Sequence, residues 1–133
     1  MAINVKRQIG YWLTTAESDF ESAKLILDKG KNLHWCLFLC HLVIEKHLKA
    51  LVVQHTKRVA PKIHDLEYLA ELAGLELPVK ELDFLTEMNV FNLEARYPDE
   101  QLRIYKKATP TLARKLFQRT KEFTSWAKGL VKQ

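Results

Sequence analysis

From Leu33 to His55 the chain reads LHWCLFLCHLVIEKHLKALVVQH, a helical run with no polar face broad enough for an ordinary surface helix. Leu33, Leu37, Cys40, Ile44, Leu48 and Leu51 form one apolar stripe, and Cys36, Leu39, Val43 and Ala50 form a second. A helix greasy on two flanks needs two partners. It is either central in a bundle or shared with a second copy of the chain, and the expectation is both. His34, His41, Glu45 and Lys49 fall within about 80° of one another at 100° per residue, so the ionisable groups form a narrow ribbon between the stripes.

The rest of the sequence supplies the bundle. An amphipathic repeat carries Ile9, Trp12, Leu13, Ala16, Phe20, Ala23 and Leu27 on a first helix over about Val5 to Lys29, with Gly30 as its stop. Asn32 is the expected cap of the second helix. HDLEYLAELAG makes a short third helix with Leu66, Leu69, Leu72 and Ala73 inward and Gly74 as terminator. Pro78 opens a fourth, carrying Leu82, Leu85, Met88 and Leu93 as far as Arg96-Tyr97-Pro98, and a loop is expected beyond. Thr109-Pro110 starts the fifth, with Leu112, Leu116, Phe123, Ala127 and Leu130 inward. No convincing strand pattern or internal repeat occurs. The expectation is an all-α, up-and-down bundle of four main helices plus one short helix, a single domain over residues 1–133.

Charge is distributed unevenly. Residues 1–100 hold 12 Lys or Arg against 15 Asp or Glu, whereas residues 101–133 hold nine against Glu122 alone. Arg114, Lys121, Lys128 and Lys132 line the outer side of the last helix, either as a solvated face or as a nucleic-acid patch. No run approaches the roughly 20 apolar residues of a membrane span, and MAINVKRQIGYWL lacks a signal-peptide core, so the expected address is the cytoplasm with no membrane partner. Cys36 and Cys40, one turn apart, read as reduced and buried.

Several groups have chemistry to offer. Glu45 and Lys49 stand at i, i+4 in the order that favours an ion pair, either a solvated salt bridge or a desolvated pair that needs a partner or ligand. His41 and Glu45 share that spacing, but with Lys49 beside them and no HExxH motif, no metal site is expected. In KRVAPKIHDLEYL, Arg58 and His64 are separated by five residues, and His64-Asp65 stand where a helix cap is needed. In EARYPDE, Arg96 offers a fork for phosphate and Tyr97 a ring for a base, or both simply close the end of the bundle. No Gly-rich phosphate loop, nucleophile elbow or dinucleotide fingerprint occurs, and no cofactor is expected.

Taken in order, AKLILDKGKNLHWCLFLCHLVIEKHLKALVV, PKIHDLEYLAELAG and NLEARYPDE resemble the HEPN family (higher eukaryotes and prokaryotes nucleotide-binding) over nearly the whole chain. Glu45, Lys46, Leu48, Lys49 and Ala50, His64-Asp65-Leu66, and Arg96-Tyr97-Pro98-Asp99 carry the resemblance. It implies a small helical bundle, usually a homodimer, with one of two functions. One is that of accessory partner to a minimal nucleotidyltransferase, sometimes within a toxin and antitoxin pair. The other is metal-independent RNA cleavage by an Arg-x4-6-His motif at the dimer interface, a spacing met here by Arg58 and His64. The expected nucleotide or RNA-phosphate site comprises Glu45, Lys49, His64, Arg96 and Tyr97, and a purely structural dimer is the remaining alternative.

Overall fold

In α1 (Val5–Lys29), the Asn4 side chain accepts from the Arg7 N–H at 3.0 Å, satisfying one of the orphan donors of the first turn. Gly30 ends the helix at φ 72°. Asn32 also lies in the left-handed region, at φ 54°, and makes no side-chain capping bond. It therefore acts by conformation, as one of the few non-glycine residues that tolerate this region. The two left-handed residues fold α1 back on α2 (Leu33–Thr56) as a long hairpin. The computed structural model describes residues 2–132, and every regular element among them is helical. None of these helices is long and apolar enough to cross a membrane.

The second helix is the axis of the bundle. Sixteen of its residues are buried, and α1, α3 (Leu66–Leu72), α4 (Val79–Asn89), α5 (Pro98–Lys107) and α6 (Pro110–Gly129) all touch it. Both of its apolar flanks are thus covered within one chain and require no second copy. Cys36 and Cys40 are free thiols at full burial, packed as small hydrophobes.

Two features differ from the sequence expectation. The fourth helix stops at Asn89, and after a 3₁₀ turn at Leu93–Ala95 the expected loop is a further helix, α5. Pro98 begins it, Asp99 and Glu100 sit in its first turn, and Lys106 and Lys107 sit in its last, which suits the helix dipole. Only Ile104 is buried along it, so it lacks the repeating apolar stripe that marks a helix in sequence. Leu82 and Leu130, expected inward, are each 37% exposed. Phe84, Leu85 and Met88 define the buried face of α4, and Leu82 lies roughly 110° from its centre at 100° per residue. Leu130 lies just past the end of α6.

Gly74 turns the chain out of α3 at φ 71°, where an added Cβ would come within 2.8 Å of the His55 ring. The Gly74→Ala variant should lose about 1–2 kcal/mol in urea unfolding from the left-handed backbone alone. His55→Ala would relieve the contact in that variant without restoring the backbone term.

Candidate functional site

The ionisable ribbon on α2 is buried at His41, Glu45 and Lys49 and half-buried at His34. Glu45 is 4% exposed and Lys49 5%, while His41 is fully enclosed. The Lys49 Nζ donates to Glu45 Oε2 at 3.1 Å and lies 5.2 Å from the centre of the Trp12 ring, so the ammonium is held between a carboxylate and an aromatic face. On its other oxygen, Oε1, Glu45 accepts from Nδ1 of His64 at 3.0 Å.

His64 reaches Glu45 because the segment before α3 is fixed at its far end. The Asp65 carboxylate caps α3, accepting from the Glu67 and Tyr68 N–H groups. Asn89 of α4 then donates its amide to Asp65 at 3.2 Å and accepts from the Leu66 N–H at 2.9 Å. The N–H groups of the first turn are thus taken by Asp65 and Asn89, and His64 is left free to turn inward. Its side chain remains 55% exposed. With Nδ1 committed to the carboxylate, Nε2 is the nitrogen left for a ligand.

His41 lies 3.8 Å from Glu45, beyond hydrogen-bond reach, and neither of its ring nitrogens has a hydrogen-bond partner among the described residues. Burial drives its pKa down from 6.5 to about 4, against the pull of Glu45 and the His64 backbone and with the push of His64 and Arg96. The ring is neutral near pH 7, and the charge of Arg96 is close enough to be felt there. Arg96 pairs with Glu100 at 3.3 Å, and its buried Nε has no partner among the described residues. His34, one heptad before His41, has no partner for its Nδ1 among the described residues and meets Tyr105 edge to face at 5.0 Å.

The fold thus joins Glu45, Lys49 and His64 directly, whereas Arg96 pairs with Glu100 and acts on His41 only through its charge. Tyr97 is 76% exposed. Arg58 stands on the exposed segment after α2, where its backbone N–H donates to the Thr56 hydroxyl and its guanidinium has no partner among the described residues. Asn89, which locks the position of His64, is a contribution the sequence does not reveal, because its partners lie more than twenty residues away. Chemically, the arrangement presents an exposed imidazole backed by a buried carboxylate, with guanidinium charge nearby. Such groups suit a phosphate oxygen or a proton transfer.

The sequence matches the HEPN domain family over residues 9–130. No curated protein matches it. Among solved structures, TT1696 from Thermus thermophilus shares the fold, with a TM-score of 0.75 at 18% identity over 93% of this chain and 98% of that chain.

Proposed function

The chain belongs to the HEPN domain family, whose functions concern nucleotides and RNA, and from that premise we propose that it binds a nucleotide or RNA phosphate at the Glu45–Lys49–His64 cluster. One observation carries this reading: His64 is more than half exposed, yet its Nδ1 is tied to a buried carboxylate that is itself neutralised by Lys49. A carboxylate so held fixes the ring orientation and leaves Nε2 as the nitrogen available to a ligand. Arg96 adds the second cation and Tyr97 an exposed ring for a base. On this reading the protein serves a minimal nucleotidyltransferase as its nucleotide-holding partner, in the manner of a toxin and antitoxin pair, and assembles as a homodimer.

Thermal unfolding with AMP and with a short single-stranded RNA tests the site. Saturating ligand at a hundredfold its Kd adds about 2.7 kcal/mol of stability. His64→Ala and Arg96→Ala should each weaken binding by about tenfold, the worth of one charge-assisted hydrogen bond. If neither compound stabilises the protein, the site is not a nucleotide site. Co-purification with a minimal nucleotidyltransferase addresses the partner role separately.

The same dyad favours a second reading, a metal-independent endoribonuclease. A carboxylate-bound imidazole with a free Nε2 is a competent base for a ribose 2′-hydroxyl. In that case Arg58, on its exposed segment, would stabilise the phosphate from across a dimer interface. Single-stranded RNA would then be cut in EDTA, and His64→Ala would abolish cleavage with helical content unchanged.

A further inference from the structure

On the side of α2 away from Glu45, a groove of about 500 Å³ runs between α1 and α6. His47 lies in its floor, two residues past Glu45 and so roughly 200° around the helix. Phe20 stacks on Phe117 at 4.7 Å, while Ile9 and Val131 join one cluster at the opposite end, so α1 and α6 run antiparallel. Gly10 therefore lies toward Lys128, and Glu17 toward Lys121.

Three independent observations converge on the Lys128 end. His47 is only 9% exposed, and its Nδ1 hydrogen-bonds to the Val43 carbonyl at 2.8 Å. A carbonyl only accepts, so Nδ1 carries the proton, and Nε2 is left without a partner among the described residues. Lys121 and Lys128 lie about 10.5 Å apart along α6, and neither joins an ion pair among the described residues. Gly10 sits inside α1, where glycine weakens a helix relative to alanine, yet no atom within 4 Å of an added Cβ requires its smallness. What its missing side chain leaves is open space on the groove wall.

We infer that this end of the groove binds a tetrahedral dianion, the phosphate or sulfate group of a small molecule, between Lys128, Ser125 and His47, with Gly10 providing the room. Lys128 supplies permanent charge, Ser125 a hydroxyl donor, and His47 a second N–H on protonation. Glu17 disfavours an anion at the other end, beside Lys121. Burial, and then Lys128, hold the free His47 ring below its usual basicity against the Val43 carbonyl. A bound dianion reverses the electrostatic part of that balance, so binding takes up a proton and tightens as pH falls. The groups facing His47 are Lys121 and Lys128 from α6 and Glu17 from α1.

Sulfate is the suitable probe because its charge is constant over the range in which histidine titrates. In amide NMR titrations we expect saturable shifts at His47, Ser125 and Lys128, with affinity several-fold tighter at about pH 5.5 than at about pH 8. His47→Gln should remove most of that pH dependence. Gly10→Leu, which fills the groove without altering charge, and Lys128→Ala should each weaken binding by more than about tenfold, whereas His64→Ala should leave it unchanged. Linear, non-saturating shifts, or affinity indifferent to both Gly10→Leu and Lys128→Ala, would overturn the assignment. Lys128 is exposed, so its variant remains informative even if Gly10→Leu perturbs α1.

Discussion

Glu45→Leu should lower the unfolding free energy by about 3–5 kcal/mol in urea, the cost of leaving a buried charge without its partner. The stranded charge is Lys49, whose side chain is 6% exposed and whose only ion-pair partner among the described residues is Glu45. Trp12 would still face the ammonium, but a ring face is worth on the order of 2 kcal/mol when desolvated, less than the loss of the carboxylate. The same substitution removes the acceptor for His64, so the segment before α3 loses an anchor as well. A Glu45→Leu/Lys49→Leu double variant separates the causes. With both charges replaced by apolar groups, stability should return to within about 1 kcal/mol of the wild type or exceed it, because a buried pair often does no better than its hydrophobic substitutes. At the exposed Lys24–Asp28 pair, by contrast, Asp28→Ala should shift stability by less than about 1 kcal/mol. A loss at Glu45 as small as that would mean that Lys49 readily reaches water.

The contrast between those two pairs marks where the sequence is legible. Both stand at i, i+4, and only the apolar residues flanking Glu45 and Lys49 show that one of them is desolvated. The helix periods identify α1 almost to the residue, since its stripe is regular and both ends carry chemical stops. They miss α5 because that helix buries a single residue, and its formation depends on capping and terminal charges. Likewise, nothing local marks His64 as the ligand of Glu45. That contact spans nineteen residues and depends on Asp65 and Asn89 holding the mouth of α3. Arg58 illustrates the opposite case, where a spacing in sequence places a residue near His64 along the chain without giving it a partner in space. The two stripes on α2 correctly announce a central helix. Their coverage by the other helices of the same chain means that a case for a dimer has to rest on other surfaces.

Acid should weaken the fold well before the carboxylates titrate, and His41 is the principal reason. Its ring is fully buried, and its pKa falls from 6.5 to about 4, chiefly through desolvation. The native state therefore binds fewer protons than the unfolded chain throughout that interval. Stability from the neutral ring is complete above about pH 6.5 and is lost progressively as the pH falls toward 4. At about 1.36 kcal/mol per pKa unit, the full loss is on the order of 3 kcal/mol. His34 and His47 shift in the same direction, so they steepen the same limb. His41→Leu isolates the largest share. Urea unfolding at pH 7 and at pH 4.5 should show a wild-type loss that exceeds the variant's by about 2–3 kcal/mol. Equal losses in the two proteins would mean that His41 is protonated, or reaches solvent, in the folded state. Glu45 would then have a second cation against it, and the neutralised carboxylate on which the orientation of His64 depends would have to be described differently.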